Sequence, residues 1–99
     1  MEIKNEVLEG TGRFYIEKDN ETIAEMDYQF PDENTLLIVH TEVDETLEGK
    51  GIGKQLVAAA VDYARKHSLR LTSTCPLAKK VLDRTKEFAD VYNAEKNKS

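Results

Sequence analysis

Residues 35–66 read TLLIVHTEV-DETLEGKGIGK-QLVAAAVDYARK, and the join inside this stretch decides the fold. Its opening, Thr35 to Val43, begins with Leu36, Leu37, Ile38 and Val39 in a row. A strand that is apolar on both sides belongs inside a sheet, so the pattern predicts a buried, central strand. The end of the stretch has the period of a helix. Projected at 100° per residue, Ile52, Leu56, Val57, Ala59, Ala60, Val61, Tyr63, Ala64 and His67 fill one arc, while Lys54, Gln55, Asp62, Arg65 and Lys66 fill the other. An amphipathic helix over Ile52–Ser68 follows. His67 at its end suits the negative pole of the helix dipole, a structural role.

On the N-terminal side, Arg13 to Glu17 alternates, with Phe14 and Ile16 on one side. Lys18-Asp19-Asn20-Glu21 has the composition of a turn. Beyond it Ala24, Met26, Tyr28 and Phe30 alternate with Glu25, Asp27 and Gln29, the second arm of a hairpin. Pro31-Asp32-Glu33-Asn34 marks the next turn. Residues 1–11 are polar and carry no readable period. On the C-terminal side, Leu69–Thr74 predicts a short strand. Pro76 suits the first turn of a helix continued by Leu77, Val81, Arg84/Thr85 and Phe88. The expected order is β-β-β-α-β-α, an α+β fold on a mixed sheet. The helix between the third and fourth strands is a crossover, so those two run parallel while the first three form an antiparallel meander.

The chain has 99 residues, 39% apolar and 33% charged, with no Trp. One domain over residues 1–92 is expected, burying roughly 60–65% of its unfolded surface, with residues 93–99 fraying. Fourteen Lys and Arg against nineteen Asp and Glu give a net charge of −5, which argues against a nucleic-acid partner. No apolar run approaches the ~20 residues of a membrane span, and the first residues lack the apolar stretch of a signal peptide. A cytoplasmic monomer is expected. Cys75 is the single cysteine, which excludes an internal disulfide and a cysteine-built zinc site and leaves open a reactive thiol.

The stretch Glu48-Gly49-Lys50-Gly51-Ile52-Gly53-Lys54 carries the chemistry. It joins a buried strand to a helix start, where unpaired N–H groups and the dipole favour an anion. Glycines allow positive φ and close backbone approach. A Walker loop fails, because Gly53-Lys54 is followed by Gln55. The dinucleotide fingerprint fails too, because its third glycine would fall on Lys54 or Leu56. Two readings stay open: a cradle for phosphate, with Lys50 and Lys54 adding charge, or a flexible turn that caps the helix.

With TLLIVHTEV before it, this loop resembles the acetyl-CoA loop of the GNAT-type N-acetyltransferase superfamily, whose pattern is Gln or Arg, two residues, Gly, one residue, then Gly or Ala. Gly51 and Gly53 match, and Glu48 stands where Gln or Arg is usual. His40 to Val43 before the loop and Cys75-Pro76 after the next strand resemble the landmarks of a small YjdJ-type subfamily, over roughly Arg13 to Thr85. The resemblance implies acetyl-CoA or CoA as cofactor. It implies a splay between the parallel strands, with pantetheine beside His40, Thr41, Glu42 and Val43. The pyrophosphate then lies on the loop over Lys50, Gly51, Ile52, Gly53 and Lys54, with Glu48 and Gly49 also counted among the cofactor-binding residues. It also implies direct attack of an amine on the thioester, often with a Tyr on the last helix as acid. No Tyr lies on the helix after Cys75, and the nearest is Tyr92. The helices that wall the acceptor site in larger members have no counterpart here, where Lys18–Glu21 is only a turn.

His40 is expected on the strand face of Leu36, Ile38 and Glu42, and Cys75 at the end of the neighbouring strand. Both lie at carboxyl ends of strands, where open sheets bind ligands. A nearby imidazole could lower the thiol pKa, so both are candidate catalytic residues. The alternatives are a buried, inert thiol and a structural histidine. Glu42, Asp44, Glu45 and Glu48 form either a solvated face or an attraction for a basic acceptor. Lys79, Lys80, Arg84 and Lys86 form a polar face or reach the 3′-phosphoadenosine end. Two functions follow: an N-acetyltransferase acting on an unidentified amine, or a CoA-binding module without efficient catalysis that needs a protein partner. A plain structural domain would leave the three glycines unexplained.

Overall fold

The computed structural model describes residues 2–92. Five strands form one sheet in the order β1-β2-β3-β4-β5: β1 (Lys4–Leu8), β2 (Thr11–Lys18), β3 (Glu21–Asp32), β4 (Thr35–Val43) and β5 (Arg70–Ser73). The first four are antiparallel, and β5 runs parallel to β4 after the crossover helix α1 (Ile52–Lys66). Helix α2 (Pro76–Arg84) follows, with Pro76 in its first turn. The expected β-β-β-α-β-α order is present with one strand added in front. Residues 93–99, expected to fray, lie outside the described residues.

The added strand β1 sits at the edge, and all five of its residues are exposed. An edge strand with neither face buried has no reason to alternate, which is why its sequence shows no period. It is held by its register with β2 and by ion pairs from Lys4 to Glu17 and from Arg13 to Glu6. The Lys18–Glu21 turn takes positive φ at both Asp19 and Asn20, the primed geometry whose twist matches the flanking strands.

One face of the sheet carries the core. Phe14, Ile16, Ala24, Met26, Tyr28, Leu36, Ile38 and Leu71 are buried there against Ile52, Leu56, Val57, Ala60, Val61 and Ala64 of α1. Helix α2 packs on α1, β4 and β5. It buries Ala78 and Leu82, not the expected line from Leu77 through Val81. Small Ala78 lets the helix approach closely, and Leu77 is left 41% exposed. The helix ends at Arg84, and Phe88 reaches the core from a separate 3-10 turn, Lys86–Phe88. The chain then returns along β5, where the Leu71 N–H donates to the Val91 carbonyl.

Tyr28 is the centre of an aromatic group with Phe14, Phe30 and Tyr63, and its hydroxyl donates to Asn5 of β1. Burial pushes its pKa up to about 12. Gly12 is its register partner, and a Cβ at Gly12 would run into the Tyr28 ring. Fully buried Tyr28 has no room to yield. Gly12→Ala is therefore expected to destabilise the fold by about 1–3 kcal/mol, the usual range for overpacking, read as a lower urea midpoint.

Among the described residues, the other face carries no helix. Arg13, Tyr15, Glu25, Asp27, Leu37 and His40 lie on it, and none is buried. The changeover between faces happens at a bulge. Tyr28 pairs with Ile38 but Asp27 pairs with His40, so Val39 is one residue extra in β4. Leu36 and Ile38 face the core before the bulge. After it, Thr41 and Val43 take the core side opposite Met26 and Ala24, and His40 and Glu42 take the bare side opposite Asp27 and Glu25. The expectation that His40 shares a face with Leu36, Ile38 and Glu42 is thus corrected: of those three, only Glu42 is on its face.

Candidate functional site

The parallel pair is closed from Thr35↔Arg70 to Ile38↔Ser73, and the Thr74 N–H still donates to the Ile38 carbonyl. Beyond that point β4 continues to Val43 paired only with β3. Past Ile38–Val39, the vertex, its edge toward β5 has no strand partner among the described residues, and this unpaired edge is the slot. At the top of the slot, Asp44 caps a 3-10 turn (Glu45–Leu47) through the Thr46 N–H and hydroxyl, and buried Leu47 anchors the turn. Gly49 and Gly51 follow with φ of 79° and 73°. This left-handed region disfavours any residue with a Cβ. Gly51 is the N-cap of α1 and supplies no side-chain hydrogen bond, so the first-turn N–H groups face outward without a cap.

Over this helix start lies a cleft of about 740 Å³. Its loop side is Glu48, Gly49 and Gly51 to Lys54; Val43 closes it at β4; its far side is Leu77, Lys80, Val81 and Arg84 of α2. Leu77 rests against Gly53, where an added Cβ would come within 3.1 Å of Cδ2. The exposed leucine thus forms an apolar lip beside three cations, Lys54, Lys80 and Arg84, with Glu48 the single carboxylate in the lining. Of the residues expected around the cofactor, Val43, Glu48, Gly49, Gly51, Ile52, Gly53 and Lys54 line the cleft, while Thr41, Glu42 and Lys50 do not. Lys80 and Arg84 take the place of Lys50. Their i, i+4 spacing puts them on one face of α2, but only the docking of α2 on α1 turns that face to the loop.

Cys75 is the N-cap of α2 and is 7% exposed. Its thiol donates to Thr41 Oγ1 at 3.4 Å, across the slot on the core side. Ser73 fixes its backbone: the Ser73 hydroxyl donates to the Cys75 carbonyl, and the Cys75 N–H donates back to Ser73 Oγ. His40 stands on the opposite face, its side chain 60% exposed, with Glu42 the nearest carboxylate at 3.8 Å. The two residues expected to act together flank the slot from different sides of the sheet, and the bulge separates them. Tyr92, the nearest candidate for an acid, is buried and donates to Asp83 of α2; burial, with Asp83 beside it, pushes its pKa up to about 12.

Asp27 carries an unexpected perturbation. Loss of water at the sheet surface, and then the neighbouring Glu25 carboxylate, push its pKa up to about 6. A hydrogen bond from the Asp27 carboxyl, and then the Arg13 guanidinium, hold Glu25 below its ordinary value. The signal for this pair was present in the alternation of β3, since residues two apart on a strand share a face.

The chain thus joins a mixed sheet with one parallel pair to a helix start that is uncapped by any side chain and flanked by cations. Residues 13–91 match the family model described as GCN5-related N-acetyl-transferase. The chain belongs to that family. It is similar over 92% of its length to the solution structure of a GCN5-like protein from Staphylococcus aureus, at 39% identity and a TM-score of 0.73, covering 86% of that chain. A ribosomal-protein-alanine N-acetyltransferase from Brucella melitensis shares the fold at 19% identity and a TM-score of 0.63, over 77% of this chain and 63% of that one. Protein NATD1 of Xenopus tropicalis is 35% identical over 48 residues, 48% of this chain and 44% of its own length. This chain therefore matches less than half of that relative.

Proposed function

We propose that the protein binds acetyl-CoA and transfers the acetyl group to an amine, and that it sits in the small YjdJ-type branch of the family. The observation that carries the reading is the cationic cleft over the uncapped start of α1. The pyrophosphate lies against the N–H groups of Gly51 to Lys54, where a helix start favours phosphate. Lys54, Lys80 and Arg84 supply the charge that an acidic chain otherwise withholds. The pantetheine arm runs down the slot along Thr41 to Val43 and takes up the backbone groups that β5 leaves unpaired. The thioester then reaches the vertex, with Cys75 and Thr41 on its core side and His40 on its open side. The cytoplasmic, monomeric state expected from the sequence belongs to the same proposal. The 39% identity to the Staphylococcus aureus protein, over 86% of that chain, supports the placement beside it in the family.

A second reading is favoured by one observation, the bare outer face. Without covering helices the protein can hold acetyl-CoA and still need a partner to complete an acceptor site. Intact mass spectrometry with acetyl-CoA, with and without a panel of amines, separates the two. Acetylated amine with no protein adduct is the expected result. An acetyl adduct chased by amine, and absent in Cys75→Ala, would instead establish a covalent route through the thiol. Bound CoA without transfer to any amine would establish the binding module. No binding by calorimetry would overturn both.

A further inference from the structure

We propose that β1 is a seam for reversible self-pairing: two copies of the chain join their β1 strands antiparallel, in the register that sets Lys4 opposite Glu6, and extend their two sheets into one.

β1 is the outer strand of the sheet, and among the described residues it pairs with β2 alone. The neighbouring bonds show which of its backbone groups are unpaired. Leu8↔Thr11 closes the two-residue turn at Glu9 and Gly10. In such a hairpin the closing residues bond to each other, and along the strands bonded pairs alternate with pairs that exchange no bond. On the other side of β2 the Phe30 N–H donates to the Gly10 carbonyl, so Gly10, Gly12 and Phe14 turn their backbone groups to β3. Thr11, Arg13 and Tyr15 therefore bond to Leu8, Glu6 and Lys4. Asn5 and Val7, with Ile3 just before the strand, direct their N–H and C=O groups outward. A row of such groups on a sheet edge is a template for one more strand.

The side chains select that strand. A two-fold axis normal to the sheet keeps the core side of both copies on the same side, so opposed residues share a face. With the axis at Asn5, Ile3 faces Val7 of the second copy and Asn5 faces its own equivalent. These pairs carry the outward groups and exchange N–H···O bonds. Lys4 then faces Glu6 of the second copy, and Glu6 faces Lys4. Both sit at non-hydrogen-bonded positions, where opposed side chains come closest. Moving the axis loses the match. At Lys4 it opposes two lysines, at Glu6 it opposes two glutamates, and at Val7 it sets Glu6 against Leu8.

A lysine on an edge strand ordinarily guards against pairing. Here its counter-charge lies two residues away on the same face. Within one copy Lys4 meets Glu17 at 2.9 Å and Glu6 meets Arg13 at 3.0 Å. The seam continues that alternation, from Glu17 and Lys4 to Glu6 and Arg13 of the second copy. On the core side Val7 pairs with Gly12, which offers it no side chain, and Val7 is 49% exposed. Ile3 of the second copy comes to lie beside it. One strand edge makes a small interface, so the pairing is weak. Dilute protein is the monomer proposed above, and the pair forms as concentration rises. The glycine-loop cleft adjoins β4 and α2, away from the β1 edge, so both clefts stay open.

Sedimentation velocity from about 10 μM to about 1 mM covers the affinities of weak encounters. The wild-type mass is expected to climb from that of one chain toward that of two. Over the same range the Asn5 and Val7 amides should gain protection from hydrogen exchange, while those of Lys4, Glu6 and Leu8, already bonded to β2, change little. Lys4→Glu and Glu6→Lys should each weaken pairing about tenfold or more, because like charges replace opposite ones on both sides of the axis. An equimolar mixture of the two variants should pair about as tightly as wild type, since one copy's carboxylates then meet the other's ammonium groups. Val7→Pro removes an outward N–H and none that bonds β2, a placement proline tolerates on an edge. It should abolish pairing and leave the circular dichroism spectrum and urea midpoint nearly unchanged. A wild type that stays a single chain at about 1 mM would overturn the proposal and leave an extended segment of another protein as the occupant of the edge. Pairing that survives in folded Val7→Pro would overturn it too, by placing the contact elsewhere. A mixture of the two charge variants that pairs no better than either alone would overturn the register.

Discussion

Lys54→Glu combined with Lys80→Glu is expected to weaken acetyl-CoA binding at least about a hundredfold while leaving the melting temperature almost unchanged. Both side chains line the cleft from opposite sides, Lys54 from the first turn of α1 and Lys80 from the middle of α2. Neither takes part in an ion pair among the described residues, so their replacement breaks nothing in the fold. The effect is large because each substitution removes a favourable charge and installs a repulsive one against a ligand carrying several phosphate charges. Glu48 already stands in the lining. Two more carboxylates would leave Arg84 as its one remaining cation. About 1.4 kcal/mol corresponds to each tenfold loss, so the hundredfold figure asks for under 1.5 kcal/mol per reversed residue, modest for charges close to phosphate. The affinity should also fall with added salt in wild type and much less in the double variant. Isothermal titration at two ionic strengths checks both statements. Equal affinity in wild type and variant would remove the phosphates from this cleft. Lys50→Glu alone, outside the lining, should have the smaller effect.

Leu56→Ala is expected to destabilise the protein by about 2–5 kcal/mol. Leu56 is fully buried in the first half of α1, the helix that lies across β2, β3, β4 and β5. Truncation removes its transfer free energy and leaves a cavity between helix and sheet that the surrounding side chains fill only in part. For a domain of this size, total stability is commonly about 5–15 kcal/mol. The variant therefore stands near the margin, and its thermal midpoint should drop by roughly 4–8 °C for each kcal/mol lost. Thermal and urea unfolding followed by circular dichroism give the value. Because Leu56 sits one turn below Gly51 and Ile52, the same loosening should reach the glycine loop, and excess acetyl-CoA should raise the midpoint of the variant through a stabilisation of RT ln(1 + [L]/Kd). A drop under about 1 kcal/mol would mean that α1 is not the wall of the core.

Where burial follows a period, the elements could be read. Helix α1 was legible because six of its fifteen residues are buried on one stripe. β3 was legible because Ala24, Met26 and Tyr28 are buried at every second position. The parallel β4–β5 pair followed from the crossover alone. β1 was not legible, since an exposed edge imposes no pattern. The bulge was not legible either: Leu36 to Val39 are all apolar, so a change of face among them leaves no mark in the sequence. That single omission misplaced His40 relative to Cys75. The burial of α2 was misread for a related reason, because small Ala78 takes the core position and larger Leu77 covers Gly53. The place of the glycine loop between β4 and the start of α1 was legible, since a helix start depends on the local sequence, while Lys50 falls outside the cleft lining. Lys80 and Arg84 depend on how two helices dock.

Val39 also sets a parity for β4. The residues before it and after it count alternate positions from different origins, so what happens at one end is decoupled from what happens at the other. Deleting Val39 would restore a single count without moving either face: Ile38 would be followed directly by His40, still opposite Asp27 on the bare side, and Thr41 and Val43 would keep the core side opposite Met26 and Ala24. Related chains that carry a one-residue gap at this point therefore keep both faces of the strand, while a reading of β4 that counts straight through Val39 exchanges them.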